Sequence, residues 1–235
     1  MSGKDSNSSG LPGSDGEHEI QERYGTSRRA AGFYFKQMLD QLNGEMRAFI
    51  ARQEMVFLST VDANGECDCS LRCGEAGFVR VIDDRRLVYP EYRGNGVMAS
   101  LGNLSTNGHI GMFFADFFPS TVGLHINGKA AIVENEELLS REGLPEEILG
   151  DLRVAGGRCP ERWVEVEVEE AYIHCSKHIP LLKKLDKDVD WGTDDEAKKG
   201  SDFFDAKKTP SPWKGRPGSD GDGEQGSPSA GDTRT

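Results

Sequence analysis

Between residues 55 and 134, short apolar runs alternate with turn signals. Residues 55–61 are rich in branched and aromatic side chains, which suit a pleated, half-buried backbone and predict a strand. Asp62-Ala63-Asn64-Gly65 follows, and Asn-Gly is the strongest short hairpin signal, so residues 66–72 are the expected return strand. Side chains alternate along it. Asp68, Ser70 and Arg72 share one face, and Cys67, Cys69, Leu71 and Cys73 share the other. Residues 78–82 and 87–89 predict a second hairpin across 83–86, with Pro90 ending it. A Gly/Asn-rich loop at 91–96 leads into a short helix at 97–104. Strands follow at 109–115 and 121–134, the second with a turn or bulge at Asn127-Gly128. One or two short helices around Pro145 fill 136–154. In 162–174, Val164, Val166 and Val168 face one way while Glu165, Glu167 and Glu169 face the other. Many short strands at short spacing predict an antiparallel barrel or sandwich, not a parallel sheet.

The flanks follow other patterns. In 17–53, Phe35, Met38, Leu39, Leu42, Met46, Phe49 and Ile50 recur at three- and four-residue steps, the stripe of an amphipathic helix that Gly44 can break in two. Residues 1–16 and 186–235 are dominated by Ser, Gly, Asp, Lys and Pro, with little to bury, and are expected to be disordered tails. The ordered body is then 17–185, long enough to bury a core without disulfide staples.

Composition narrows the function classes. A formal net charge of −12 over 235 residues disfavours non-specific binding to nucleic acid or to an anionic membrane. No run of about 18 apolar residues is present to span a bilayer. The first residues lack the apolar centre of a secretory signal, so a cytoplasmic protein is expected. Five cysteines, an odd number, fit reduced thiols better than a disulfide framework.

Candidate chemistry gathers in the loop and helix at 93–103. Its glycines let backbone N–H groups approach an anion, a helix start adds unpaired donors, Asn95 and Ser100 offer neutral hydrogen bonds, and Arg93 offers a cation. Arg72, beside Ser70, could clamp a phosphate with its planar fork or serve as a rim ion pair. Cys67, Cys69, Cys73, His174, Cys175 and His178 are metal-ligating residue types. The one-residue gap between Cys67 and Cys69 is not a zinc spacing, and their face, shared with Leu71, suits small buried apolar side chains, so no metal site is expected. No paired carboxylates, catalytic triad or Walker-type loop stands out.

Taken in order, these residues resemble the pyridoxamine 5′-phosphate oxidase-like family, the FMN-binding split-barrel proteins. The resemblance runs over 55–180 and rests on FLSTVDANGECDCSLRCGEAGFVRV, LVYPEYRGNGVMASLGNLSTNGHIGMFF, LHINGKAAIV and the closing EAYIHCSKHIP. It implies a mainly β fold, a six-stranded antiparallel split β-barrel of Greek-key type with an N-terminal helix and short peripheral helices. It also implies a homodimer with FMN at the interface, F420, haem or no cofactor serving in some branches. By similarity, Ser70 and Arg72 would lie near the ribityl phosphate. Tyr89, Pro90 and Tyr92 would lie beside the ring or ribityl chain, Arg93, Asn95, Ser100 and Asn103 would form the loop-and-helix part, and Lys177 would come from the closing segment. The biosynthetic oxidases carry arginine where Ser70 stands and an Arg-Lys pair where Ala99 and Ser100 stand. They also carry a C-terminal substrate motif that is absent here. A flavin-dependent oxidoreductase of an unidentified small molecule is therefore expected, rather than a true pyridoxamine-phosphate oxidase. The alternatives are an F420-dependent reductase, a non-catalytic cofactor-binding or sensing module and, more weakly, a haem protein with His174 or His178 as axial ligand.

Overall fold

The computed structural model describes residues 10–154, 158–193, 195, 198 and 202–213. The chain divides into two units, Met1–Thr193 and Asp194–Thr235. Of the segments expected to be tails, residues 1–9, 194, 196–197, 199–201 and 214–235 lie outside the described residues. The described part of the second unit includes one 3-10 turn, Ala206–Lys208.

The first unit opens with helices α1 (Asp15–Arg23) and α2 (Ser27–Gln37), the two-residue strand β1 (Met38–Leu39) and helix α3 (Gly44–Ile50). Strands β2 (Met55–Val61), β3 (Cys67–Cys73), β4 (Arg80–Val81) and β5 (Arg86–Glu91) come next. Helix α4 (Ala99–Thr106) leads to β6 (His109–Ala115) and β7 (Gly123–Val133). Helices α5 (Asn135–Leu139) and α6 (Glu146–Leu152) precede the longest strand, β8 (Arg162–His174). The strands pair antiparallel in the order β3-β2-β6-β7-β8-β5-β4, and β1 adds to β8. The resemblance implies six strands and the sequence pattern seven, and the structure has eight. β4 is the strand expected at 78–82, shortened to two residues, and β1 is the addition, also two residues and too short to leave an alternation in the sequence.

The N-terminal segment departs from a continuous helix. Met38 turns extended and pairs with Tyr172, which ends α2. Gly44 begins a helix rather than breaking one. Asn43 caps it, accepting from the Met46 N–H at 2.9 Å. Leu42, Phe49 and Ile50 reach the core, whereas Phe35 is 75% exposed, so only the later half of the stripe is a core face. At the front, α1 starts inside the segment expected as a tail. A capping box between Ser14 and Glu17 satisfies its first N–H groups.

One apolar core fills the sheet's inner face, from Val56 and Leu58 on β2 through Met112 and Phe114 on β6 and Ile126 on β7 to Val164, Val166 and Val168 on β8. A second cluster packs Val88, Val133 and Trp163 against Leu138 and Ile148 of the two helices before β8. The alternation expected along β8 holds as far as Val168 and then changes phase, because Ala171 is also fully buried. The cause is a bulge. Asn127 pairs with Glu170 and Gly128 with Val168, leaving Glu169 without an opposite number. Gly128 allows the strands to close there, since a Cβ on it would lie 2.0 Å from the Glu167 carbonyl oxygen. Pro90 does not end β5, which runs on to Glu91. Proline is tolerated because β4 pairs only as far as Val88 on that side, so no ladder partner needs the missing N–H.

Gly128→Ala is expected to lower unfolding free energy by about 2–4 kcal/mol. Gly102→Ala, in open space within α4, is expected to raise it by up to about 1 kcal/mol. Urea denaturation followed by circular dichroism measures both.

Candidate functional site

The register of β2 with β3 sets the site's orientation. Val56 pairs with Arg72, Leu58 with Ser70 and Thr60 with Asp68. Paired residues point to the same side, so the polar face of β3 turns inward with the core residues of β2. The cysteine face turns outward. Cys67 and Cys69 are exposed and Leu71 is half exposed, which corrects the expectation of buried apolar cysteines. An inward polar face is tolerable because α4 covers it and its groups find partners.

Helix α4 is placed by its first residues. Met98 adopts a left-handed backbone (φ 53°), a conformation that costs about 1–2 kcal/mol for a residue with a Cβ. No side chain caps the helix, so its first backbone donors carry no side-chain acceptor. Ser100, 2% exposed, meets Ser70 hydroxyl to hydroxyl at 3.1 Å. Both hydroxyls donate to Oδ2 of Asp68, Ser70 at 3.0 Å and Ser100 at 3.2 Å. Asn103 donates to the Thr60 hydroxyl at 3.1 Å and ties the helix to β2.

Two residues along β3, the Arg72 Nε donates to Oε1 of Glu91 at 2.9 Å. Glu91 is 8% exposed, and burial pushes its carboxyl above the usual carboxylate range despite the opposing pull of the guanidinium. Next to it, Tyr89 is fully buried, and burial, aided by the Glu91 charge, raises its phenol. The Tyr89 hydroxyl has no hydrogen-bond partner among the described residues.

The structure therefore brings Ser70, Arg72 and Ser100 together and adds two carboxylates that were not among the candidate site residues, Asp68 and Glu91. Alternation puts Asp68 on the Ser70 face, but nothing in the sequence signals that Glu91 crosses to Arg72. The other candidates are used differently. Tyr89 belongs to the core, with Pro90 buried beside it. The ring of Tyr92 lies 6.0 Å from that of Trp191. Arg93 is exposed in the loop, and Asn95 accepts from the Val97 N–H in its own turn. Lys177 is exposed in the 3-10 turn Ser176–His178 after β8, four strands from β3 in sheet order. Two surface clefts, of about 530 and 410 Å³, include none of these residues. The first is lined by Asp83, Arg86, Lys129 and Glu165, the second by Arg47, Arg80 and Pro145.

The sheet's outer face carries a second cluster. Leu71, Phe57, Phe113, His125 and Tyr172 form one cross-strand row over five strands. Phe113 stacks on His125 with ring centres 4.7 Å apart, and His125 stacks on Tyr172 at 4.8 Å. His125 Nε2 lies 3.1 Å from His174 Nδ1, one of the two donating. Burial, and then the neighbouring His174, hold the His125 imidazole below its ordinary value.

The pyridoxamine 5′-phosphate oxidase family model matches residues 42–175, more than half of the chain. The chain belongs to this family. The matched span runs from just before α3 to just past β8 and so includes both clusters. Among solved structures, the chain is similar to HupZ of Group A Streptococcus, with 24% identity over 55% of this chain and 90% of that one, at a TM-score of 0.40. It is similar to HutZ, the heme storage protein of Vibrio cholerae, with 16% identity over 57% and 94% at 0.35. It is also similar to an FMN-binding protein of Syntrophomonas wolfei, with 15% identity over 67% and 96% at 0.39. No curated protein matches. Among the described residues no helix is long and apolar enough to cross a membrane.

Tested against a flavin mononucleotide, the donor set fits in part. Two hydroxyls, the uncapped start of α4 and the Arg72 guanidinium suit the polar tail of such a molecule, while Asp68 and Glu91 oppose its phosphate. The Arg72–Glu91 pair also has a structural consequence. Arg72→Ala strands a buried carboxylate and is expected to lower stability by about 2 kcal/mol, with Glu91→Gln in that background restoring most of the loss. A double-mutant cycle by chemical denaturation measures the coupling.

Proposed function

We propose that this family member is an FMN-binding oxidoreductase of a small molecule, working as a homodimer. The observation that carries the reading is the meeting of Ser70 with Ser100 at the uncapped start of α4, with Arg72 on the same face. Backbone donors at a helix start and nearby hydroxyls suit the oxygen-rich tail of a flavin. Ser70, Ser100 and Arg72 would hold that tail. When bound, the flavin supplies the electron chemistry, so the protein's part is to bind, orient and exclude water. The absence of a triad or acid–base pair from the sequence is consistent with that division.

The outer face supports the homodimer. A row of aromatic side chains with Leu71 half exposed at its end is a surface that a second copy would bury. A second reading, haem, is favoured by one observation, the His174 imidazole set among Phe113 and His125 on that face.

The visible spectrum of the purified full-length protein, followed by titration with FMN, tests the cofactor. Bands near about 370 and 450 nm are expected, with Ser100→Ala weakening FMN binding roughly tenfold. A Soret band would favour haem, preferential uptake of F420 would favour the F420-dependent reductase, and a colourless protein that takes up none would favour the non-catalytic module. Sedimentation tests the assembly. The wild type is expected to run as a dimer and Leu71→Asp as a monomer. A mass unchanged by the substitution would move the interface elsewhere.

A further inference from the structure

Asp68 is the member of the cluster that a phosphate site would not need. Its Oδ2 accepts the hydroxyl protons of both Ser70 and Ser100, at 3.0 and 3.2 Å, and the two hydroxyls lie 3.1 Å apart. Each hydroxyl has a single proton to donate. An anion arriving between these serines must take over the hydroxyl hydrogen bonds now donated to Asp68. It must also sit beside a carboxylate that has just lost both donors, so like charge and lost hydrogen bonds oppose it together.

The Arg72 guanidinium on that face does not offset this. Arg72 is already matched by Glu91 at 2.9 Å, and Glu91 is itself too buried to give up its cation at little cost. The side-chain donors of the site, Ser70, Ser100 and the Arg72 Nε, are therefore paired within the chain before any ligand arrives, whereas the backbone donors at the start of α4 carry no side-chain acceptor. A neutral polyol meets a different situation. Its hydroxyls can donate to Asp68 as well as accept from the serines, so the same three side chains favour it.

Building on the flavin reading above, we propose that Asp68 is a specificity residue that cancels the contribution of the cofactor's phosphate. The ring and the ribityl hydroxyls then carry the affinity, and the site takes riboflavin about as well as FMN. The neutral end of the ribityl chain is the group that Asp68 recognises.

Equilibrium binding of FMN and of riboflavin to the full-length wild type, and to Asp68→Asn, tests this by flavin fluorescence. Asparagine keeps the shape and an acceptor for the serines but removes the charge. In the wild type the two dissociation constants are expected to agree within about threefold, and in Asp68→Asn FMN alone should bind about tenfold or more tighter. A wild type that prefers FMN by more than threefold overturns the proposal, as does an Asp68→Asn that shifts both ligands equally. The wild-type comparison decides the matter even where the variant fails to fold. Uptake of neither flavin by either protein fails the flavin reading itself and this proposal with it.

Discussion

An ion pair holds the two ends of this sheet together. β3 begins the strand order and β5 stands one place from its end, yet Arg72 on the first reaches Glu91 on the second at 2.9 Å. No backbone ladder joins these strands. A side-chain contact does what hydrogen-bonded pairing does in a closed barrel, and it does so with Glu91 almost out of water. The raised carboxyl of Glu91 records the desolvation, and the guanidinium is what makes an ionised group tolerable there. A guanidinium is also the fork that clamps phosphates, so the residue that closes the fold is the same one that the sequence offers as an anion-binding candidate.

The same constraint explains the rest of the polar cluster. Since β3 turns its polar face inward, every group on it needs a partner inside the fold. Arg72 takes Glu91, and Ser70 takes Asp68 on its own strand and Ser100 from α4. The left-handed turn at Met98 starts the helix that brings Ser100 to this face. The cluster is thus first of all a packing solution between a strand and a helix. That is why its chemistry is shared between hydroxyls and carboxylates rather than being plainly cationic.

The outer face follows from the same alternation. With polar residues turned in, β3 shows Cys67, Cys69 and Leu71 to the outside, and the strands beside it add Phe57, Phe113, His125 and Tyr172 in register. Stacking along that row gives cross-strand contacts beyond simple area burial. The sheet thus places a polar cluster on one side and an aromatic surface on the other.

Much of this was legible in the chain itself. Strands at 55–61 and 109–115, the Asn64-Gly65 hairpin, the bulge at Gly128 and the valine face of β8 were read from local signals, because period-two alternation and turn chemistry act over a few neighbours. The family, too, followed from an ordered set of motifs, as did the shared face of Ser70 and Arg72. The tertiary structure alone decided which way that face points, and that Asp68 and Glu91 would pair with the hydroxyls and the guanidinium. It also decided that Tyr89 would be buried and that Asn95 would be used within its own turn. Alternation says which residues lie together but not which side is inside, and a partner 19 residues away on a strand not paired with it leaves no local trace.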